Sequence, residues 1–239
     1  GETVIENAAR EPEIVQLCDA LNTMGAIIDG ISTDKIIIEG VEELHSTDLD
    51  VIPDRIEAGT YLIAGAAMGE ITVNYCNPNH LNVLIEKLIQ AGAKIDTSKN
   101  SITIKKANPI NPVDVTTEVY PGFPTDLQAQ WIALMAIASG SSVVTDTVYH
   151  DRFTHIPELN RLGANIELRE NMAIINGVDH LIGAPVMSTD IRASAALIIG
   201  AIMARGKTDI SRIYHIDRGY EFIEKKFQAL GVDIIRKND

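Results

Sequence analysis

The sequence predicts an α/β protein built from a repeated unit, and three observations support this. Hydrophobic residues make up 46% of the 239 residues and aromatic residues only 5%, which suits a globular α/β or α+β protein with an aliphatic core. A glycine after a predicted helix recurs at Gly25, Gly92, Gly163 and Gly231, and successive glycines lie 67, 71 and 68 residues apart. Two classes of helix alternate along the chain, one amphipathic and one apolar nearly all round.

Each amphipathic helix directly precedes one of these glycines. Its apolar residues recur at helical spacing, and the four stripes are Ile14, Leu17, Cys18, Leu21; Leu81, Leu84, Ile85, Leu88; Ile156, Leu159; and Tyr220, Ile223, Phe227, Leu230. A glycine ends each helix because it accepts a positive φ. Cys18 lies on an apolar stripe, so we interpret it as a core residue and not as a nucleophile.

Two strands joined by a polar turn are predicted after each glycine, as at 93–105 and 164–175. Their alternation of apolar and polar residues is typical of sheets with one solvent-facing side. The last copy has room for one strand only before the sequence ends at Asp239.

The helices of the second class are predicted at 56–68, 127–138 and 191–204, and short strands at 71–74, 142–146 and 208–211 follow them. Because these helices are apolar nearly all round, we expect them to pack on one another with the sheets outside. The predicted unit is strand, outer helix, two strands, inner helix and strand, in about three and a half copies.

Composition excludes several classes of partner. The net charge of −13 argues against nucleic acid. The chain opens on no charged-then-apolar leader, and its longest apolar run, 193–204, is too short to span a bilayer, so no membrane partner is expected. Cys18 and Cys76 form no disulfide framework, which favours a reducing compartment such as the cytoplasm. The six histidines have no metal-site spacing and no glycine-rich nucleotide motif is present, so neither a metal nor a cofactor is expected.

Arginines recur in the loops that precede predicted helices. Helix N-termini favour anions, and a guanidinium adds a bidentate fork for phosphate or carboxylate. These arginines are Arg10, Arg55, Arg152, Arg192 and Arg218. The alternative is that each arginine forms a structural bridge with a neighbouring aspartate.

Asp126 lies at the start of the second predicted inner helix, within the stretch PGFPTDLQAQW at 121–131. One interpretation makes Asp126 only the N-cap of that helix. The other makes it a carboxylate at the mouth of a buried helix, able to accept a proton from a substrate hydroxyl.

Five segments together resemble the UDP-N-acetylglucosamine 1-carboxyvinyltransferase family of enolpyruvyl transferases, and the resemblance extends over essentially the whole chain. These segments are 6–13, 122–130, 151–153, 189–194 and 214–221. The resemblance implies an inside-out α/β barrel of two lobes with three repeats each. It also implies an enzyme of peptidoglycan precursor synthesis, and so of cell-wall biogenesis, cell shape and cell division. The shikimate-phosphate enolpyruvyl transferases share that fold, but the segments favour the UDP-sugar enzymes.

In that family the 3′-hydroxyl of UDP-N-acetylglucosamine attacks C2 of phosphoenolpyruvate, phosphate leaves, and no cofactor is involved. By resemblance, Asp126 is the aspartate that contacts this hydroxyl as its base, and Val148 meets the nucleotide sugar through its backbone. Arg192 and Arg218 correspond to arginines that bind phosphoenolpyruvate or its phosphate, and Arg152 to a further active-site arginine. Asp126 and Arg218 are therefore the predicted catalytic residues.

The family's Lys-Asn pair, further sugar-binding arginines and mobile cysteine loop have no counterpart here. The chain thus resembles the C-terminal half, with residues 1–50 from the first lobe and 51–239 forming the second. We expect it to be inactive alone, and its first strands at 3–6 and 36–39 to lack sheet partners and to favour self-association. The alternatives are a noncatalytic module that binds anions or nucleotide sugars through its arginines, and a repeat scaffold without a ligand.

Overall fold

The computed structural model describes residues 1–237, so the last two residues of the predicted second lobe, 51–239, lie outside the described residues. The first copy of the unit contains β1 (Glu2–Glu6), α1 (Pro12–Thr23), β2 (Ile27–Asp29), β3 (Lys35–Glu39) and α2 (Arg55–Met68). The second contains β4 (Ile71–Asn74), α3 (Asn82–Gln90), β5 (Lys94–Thr97), β6 (Ser101–Lys105), β7 (Val115–Thr117) and α4 (Gln128–Met135).

The third copy contains β8 (Ser141–Asp146), α5 (Ile156–Arg161), β9 (Asn165–Arg169), β10 (Met172–Asn176), β11 (Leu181–Ile182), β12 (Pro185–Met187) and α6 (Ile191–Met203). The last contains β13 (Ala204–Arg205), β14 (Asp209–Ser211) and α7 (Ile223–Ala229). Short 3₁₀ helices lie before α3, α4 and α7, at Pro78–Leu81, Thr125–Leu127 and Ile213–Arg218.

The sheets repeat one topology, which confirms the predicted unit. In each of three copies the strand before the outer helix pairs antiparallel with the second strand after the glycine, giving the orders β1-β3-β2, β4-β6-β5 and β8-β10-β9. β7 joins the third of these sheets parallel to β8. Two further parallel pairs, β11 with β13 and β12 with β14, follow later in the chain.

The four periodic glycines take the conformation for which they were predicted. Gly25, Gly92, Gly163 and Gly231 have φ values of 103°, 99°, 88° and 88°. A side chain is strained in this region, whereas glycine enters it freely, so each outer helix ends at the glycine and the chain turns back along it.

The inner helices α2, α4 and α6 pack pairwise on one another, as expected. All eight residues of α4 are buried, and α6 is buried from Ala193 to Gly200. Sheets and amphipathic helices cover this helical centre, so the predicted inside-out α/β arrangement is confirmed.

A second, smaller hydrophobic cluster lies near the start of the chain. It is built on Cys18, Ile28 and Ile36, separate from the large core around the inner helices. The core role predicted for Cys18 is confirmed. The segment between β3 and α2 has no regular structure, but the Gln16 side chain bonds the Asp50 carbonyl at 2.7 Å and the Ile52 N–H at 3.0 Å. The boundary between residues 1–50 and 51–239 stays a prediction.

Three local predictions are wrong. The second inner helix ends at Met135 and not at 138, because the N–H groups of residues 137 and 138 bond three residues back instead of four. Residues 232–237 form no strand, since no neighbouring described strand pairs with them. The last outer helix begins at Ile223, so Tyr220 lies before it and not on its stripe.

The expectation that the first two long strands lack partners is also wrong. β1 and β3 pair with each other over five residues, from Glu2 opposite Glu39 to Glu6 opposite Lys35. β1 remains at the edge of its sheet, and self-association stays a prediction. No helix in the described part of the chain is both long and apolar enough to cross a bilayer.

Two glycines near the end of α2 differ in the room around them. A Cβ at Gly65 would lie 2.5 Å from Cγ2 of the buried Ile104 and 3.3 Å from Cβ of Ile71. Both neighbours are β-branched core residues, so neither side chain swings away freely. A Cβ at Gly69 would meet none of the described atoms within 4 Å, and its φ of 168° is open to any residue.

Gly65→Ala should therefore lower the free energy of unfolding by about 1 kcal/mol. Overpacking a core costs about 1 to 3 kcal/mol, which exceeds the gain of about 1 kcal/mol from the better helix former. Gly69→Ala is the matched control and should leave stability unchanged or slightly raised. Urea unfolding followed by circular dichroism measures both, and equal stabilities for the two variants would contradict the close packing of α2 on β6.

Candidate active site

One of the three inner helices begins differently from the other two, although a similar loop precedes each of them in the repeat. The Asp54 carboxylate caps α2 by accepting the N–H groups of residues 56 and 57 at 2.7 and 3.0 Å. Asp190 caps α6 in the same way, at 2.8 and 3.0 Å. Within the described residues the carboxylate of Asp126 accepts no backbone N–H, and α4 follows a 3₁₀ turn instead. The interpretation of Asp126 as an N-cap is therefore wrong.

Asp126 instead lies between two arginines. Its Oδ1 accepts a hydrogen bond from Nη1 of Arg152 at 2.5 Å, and its Oδ2 accepts one from Nη2 of Arg192 at 2.5 Å. The side chains of Asp126, Arg152 and Arg192 are 32%, 22% and 15% exposed, so the cluster is partly desolvated but open on one side. An aspartate and two arginines from three separate segments thus form one charged site with a net charge of +1.

Burial raises the pKa of Asp126, but the charges and hydrogen bonds of Arg192 and Arg152 outweigh burial and hold this pKa below its ordinary value. The carboxylate is therefore ionised at neutral pH. While both arginines are paired with it, Asp126 is therefore a weak base.

Asp146, at the end of β8, holds the loop that follows this strand in place through buried hydrogen bonds. Its buried carboxylate accepts the hydroxyls of Thr117 and Thr125 at 2.6 Å each. It also accepts the backbone N–H groups of Val148 and Tyr149 at 3.0 and 2.8 Å. This one carboxylate therefore fixes both the residue before Asp126 and the loop that leads to Arg152.

A second buried network lies beneath Asp126 on the helical side. Nε2 of Gln130 donates to the backbone carbonyl of Asp126 at 3.0 Å and to Oγ1 of Thr60 at 3.1 Å. The Tyr220 hydroxyl lies 2.8 Å from Thr60 Oγ1 and 3.4 Å from Nη1 of Arg192. Side chains from α2, α4 and α6 thus meet at one point behind the charged site.

An open cleft of about 300 Å³ leads to Asp126. Val148, Tyr120 and Glu13 are among its lining residues. Arg55 also lines it and pairs with Glu13 through two hydrogen bonds, at 2.9 and 3.2 Å. A neighbouring cleft of about 460 Å³ shares Tyr120, but Asp126 lines the smaller one, which we therefore regard as the functional cleft.

The structure brings some of the predicted residues together and leaves others apart. Asp126, Arg152 and Arg192 meet directly, and Val148 lines their cleft. Arg218 is exposed and forms no ion pair within residues 1–237, although its 3₁₀ helix packs against α6. The role of each of these residues stays a prediction.

The alternative prediction was that each of the five arginines forms an ion pair with an aspartate close to it in sequence. None of the five does so among the described residues. Arg55 pairs with Glu13, far away in sequence, and Arg152 and Arg192 share the distant Asp126. Arg10, like Arg218, forms no ion pair among the described residues.

His155 is buried at the start of α5, and its ring stacks on Phe153 with centroids 6.4 Å apart. Burial lowers the pKa of His155 to about 4, against the attraction of Asp190 and with the added repulsion of Arg152. Its Nε2 has no hydrogen-bond partner in the described structure. Among residues 1–237, no three His, Cys, Asp or Glu side chains are grouped as metal ligands would be.

Sequence reasoning missed Asp146, Gln130 and Tyr220. A signal for Asp146 was present, because alternation along β8 buries Ser142 and Val144 and so predicts that Asp146 points inward as well. Gln130 is a polar residue in an otherwise apolar inner helix, which was a second signal. Tyr220 gave none, since its apolar spacing favoured a place on the helix stripe.

The fold and the charged site define a class. A model of the EPSP synthase (3-phosphoshikimate 1-carboxyvinyltransferase) family matches residues 1–227, and the chain belongs to this family of enolpyruvyl transferases.

Relatives about half identical to this chain share a particular name. It is 52% identical to UDP-N-acetylglucosamine 1-carboxyvinyltransferase of Chlorobium chlorochromatii over 99% of this chain and 56% of that protein. It is 51% identical to the protein of the same name from Hydrogenovibrio crunogenus, over 100% of this chain and 57% of that protein. The chain therefore spans somewhat more than half the length of these relatives.

Solved structures agree on the fold. The enolpyruvyl transferase NikO from Streptomyces tendae superposes with a TM-score of 0.87 at 27% identity, covering 98% of this chain and 56% of NikO. An EPSP synthase from Acinetobacter baumannii superposes with a TM-score of 0.69 at 18% identity, over 97% of this chain and 56% of that one. At that identity the second likeness concerns the fold alone.

The buried His155 predicts a pH dependence of stability. Its pKa is about 4 in the folded chain and 6.5 ordinarily, so the unfolded chain binds the extra proton as pH falls from 6.5 to 4. Stability is fully present above pH 6.5 and should fall below it by up to about 1.4 kcal/mol per pH unit. The lowered pKa of His80 acts in the same direction, whereas carboxylates such as Asp190 act below about pH 4.

His155→Gln should remove most of this slope between pH 6.5 and 4.5, while His150→Gln, at an exposed site, should retain it. Urea midpoints measured across the window give the slope, which is independent of any uniform loss of stability in a variant. An unchanged slope in His155→Gln would contradict the buried, neutral imidazole.

Proposed function

We propose that this chain supplies one wall of an enolpyruvyl transferase site in which Asp126 is the base. The observation that carries the proposal is the carboxylate of Asp126 held by Arg152 and Arg192 at the mouth of an open cleft. Asp54 and Asp190, which directly precede the other two inner helices, cap those helices. Asp126 is free of that structural task, which supports a chemical one.

The proposed acceptor is UDP-N-acetylglucosamine and the proposed donor is phosphoenolpyruvate. Support comes from the names of relatives about half identical to this chain. The nucleotide sugar would lie in the cleft beside Val148, with its 3′-hydroxyl toward Asp126. The free thiols of Cys18 and Cys76 fit a reducing compartment, so we infer that the reaction takes place in the cytoplasm.

The proposed reaction is an addition followed by an elimination. The 3′-oxygen of the sugar forms a bond to C2 of phosphoenolpyruvate while Asp126 takes the hydroxyl proton, and the methylene carbon C3 receives a proton from an acid that we assign to the part of the relatives that this chain does not match. C3 then loses a proton, the C2–C3 double bond returns, and the bond from C2 to the phosphate oxygen breaks as phosphate leaves. The sugar oxygen thus replaces the phosphate oxygen on C2, inorganic phosphate is released, and no oxidation state changes.

The arginines explain how a strongly paired carboxylate can act as a base. Phosphoenolpyruvate carries a phosphate and a carboxylate, both good bidentate acceptors for a guanidinium. When this anion draws Arg152 or Arg192 away from Asp126, the pKa of Asp126 rises toward the range useful for proton transfer. We assign Arg218 to the same anion, approaching from the 3₁₀ helix beside α6.

The chain alone should catalyse no measurable enolpyruvyl transfer. Its cleft is open to solvent, and the relatives are nearly twice as long, so we infer that the rest of the site comes from residues that this chain does not match. Joining the chain to the unmatched part of the Chlorobium chlorochromatii relative, in that relative's order, should restore transfer.

The rate of phosphate release in the presence of both substrates tests this prediction. Reactions that omit either substrate are the control. Steady release by the chain alone, dependent on both substrates, would contradict the division of the site. Calorimetric binding of UDP-N-acetylglucosamine to the joined protein without any transfer would favour the noncatalytic binding module instead.

In the joined protein, Asp126→Asn should lower kcat by about a hundredfold or more, because a positioned general base contributes that much. Binding of the nucleotide sugar should weaken far less. Glu167→Gln is the matched control, since it removes one carboxylate charge from an exposed bridge to Arg169 on β9 and should keep full turnover. Turnover of Asp126→Asn within a few-fold of the unaltered protein would exclude Asp126 as the base.

A further inference from the structure

The Tyr220 hydroxyl lies where all three inner helices meet. Tyr220 is 1% exposed. Its oxygen is 2.8 Å from Oγ1 of Thr60 on α2, 3.3 Å from Nε2 of Gln130 on α4 and 3.4 Å from Nη1 of Arg192 on α6. Each of these contacts comes from a different repeat.

The donors and acceptors of this network allow one assignment. Thr60 donates its own proton to the carbonyl of Ile56 at 2.9 Å, so Thr60 Oγ1 accepts the proton of Tyr220. The Tyr220 oxygen then accepts from Nη1 of Arg192 and from Nε2 of Gln130, two nitrogens that can only donate, and Nε2 shares its two protons among Tyr220, Thr60 and the Asp126 carbonyl. Burial raises the pKa of Tyr220 even though Arg192 opposes this, so the phenol keeps its proton at neutral pH.

Arg192 is held by few contacts. Its Nη2 binds Asp126 and its Nη1 binds Tyr220, while its Nε has no hydrogen-bond partner within residues 1–237 and is buried. Removal of the Tyr220 hydroxyl would leave Asp126 as the one hydrogen-bond partner of this guanidinium among the described side chains, with the Tyr220 ring still beside it at 6.0 Å from ring centroid to Cζ. The hydroxyl therefore limits where Arg192 can go.

We propose that Tyr220 is a positioning residue: its hydroxyl holds Arg192 in register with Asp126, and through Gln130 it ties the backbone of Asp126 to the inner helices. This inference rests on the proposed function for its effect on catalysis. The positioning itself is a property of the folded chain. Tyr220 touches no reacting atom in this scheme and acts through Arg192.

Tyr61 provides a matched control in the same core. It is 7% exposed, lies next to Thr60 on α2 and packs on Phe227 with ring centroids 5.0 Å apart. Its hydroxyl has no hydrogen-bond partner in the described chain. Tyr61→Phe and Tyr220→Phe therefore remove the same atom from neighbouring buried sites, but only the second change removes a contact to Arg192.

The first test needs no catalysis. The pKa of Asp126 is measured in the 239-residue chain by carboxyl carbon NMR, with Asp126→Asn used to assign the signal. In Tyr220→Phe the looser Arg192 should raise this pKa by about half a unit or more, whereas Tyr61→Phe should leave it unchanged. A pKa of Asp126 that is the same in Tyr220→Phe and in the unaltered chain would overturn the proposal, whatever the activity.

The second test uses the joined protein. Tyr220→Phe should lower kcat by about tenfold or more, because misplacing a catalytic group by a fraction of an ångström has effects of that size, while KM for the nucleotide sugar stays within about threefold. Thr60→Val removes the acceptor of the same hydrogen bond, so the double variant should lose little more than Tyr220→Phe alone. Additive losses would overturn the shared network, and equal kcat in Tyr220→Phe and Tyr61→Phe would overturn the positioning role.

Discussion

The pairing of one aspartate with two arginines at the start of a buried helix is the interaction on which the rest of the site depends. The three repeats bring the starts of their inner helices close together. The charged groups of the site, Asp126, Arg152 and Arg192, come from different segments of the chain. Two guanidiniums beside one another in a partly desolvated place would repel strongly. The carboxylate of Asp126 pairs with both and so makes their proximity tolerable.

A symmetric architecture produces an asymmetric site by changing the task of one residue. In two copies the aspartate before the inner helix satisfies free N–H groups, and in the middle copy it does not. A missing cap costs a helix about 1 kcal/mol. The 3₁₀ turn at Thr125–Leu127 and the bonds from Asp146 and Gln130 offset part of that cost. The middle copy thus forgoes a stabilising cap that the other two copies keep, which is consistent with the chemical role proposed for Asp126.

Much of the architecture was predictable because it depends on local chemistry. The periodic glycines mark positive φ, and all-round apolarity marks the inner helices, so both could be read from neighbouring residues alone. The site was predictable in part: Asp126 stands out by its place, yet its pairing with Arg152 and Arg192 is a contact between residues 26 and 66 positions apart. β7, β11, β12 and β13 escaped prediction because two- and three-residue strands are defined by their partners and not by their own sequence. Tyr220 was misread for the same reason, since spacing describes a stripe but not a hydroxyl's partner.

The fastening of α1 has a mechanical consequence. The Gln16 side chain forms hydrogen bonds with Asp50 and Ile52 in the irregular segment. One turn earlier in α1, Glu13 forms an ion pair with Arg55, the first residue of α2. A helix tied at two successive turns to the same stretch of chain cannot pivot without carrying that stretch along. A rotation of the small sheet formed by β1, β2 and β3 would therefore also move the first turn of α2. Thr60 lies in the next turn of the same helix. Through α1, the small sheet at the start of the chain is thus linked to the helix whose Thr60 shares Gln130 with the backbone of Asp126.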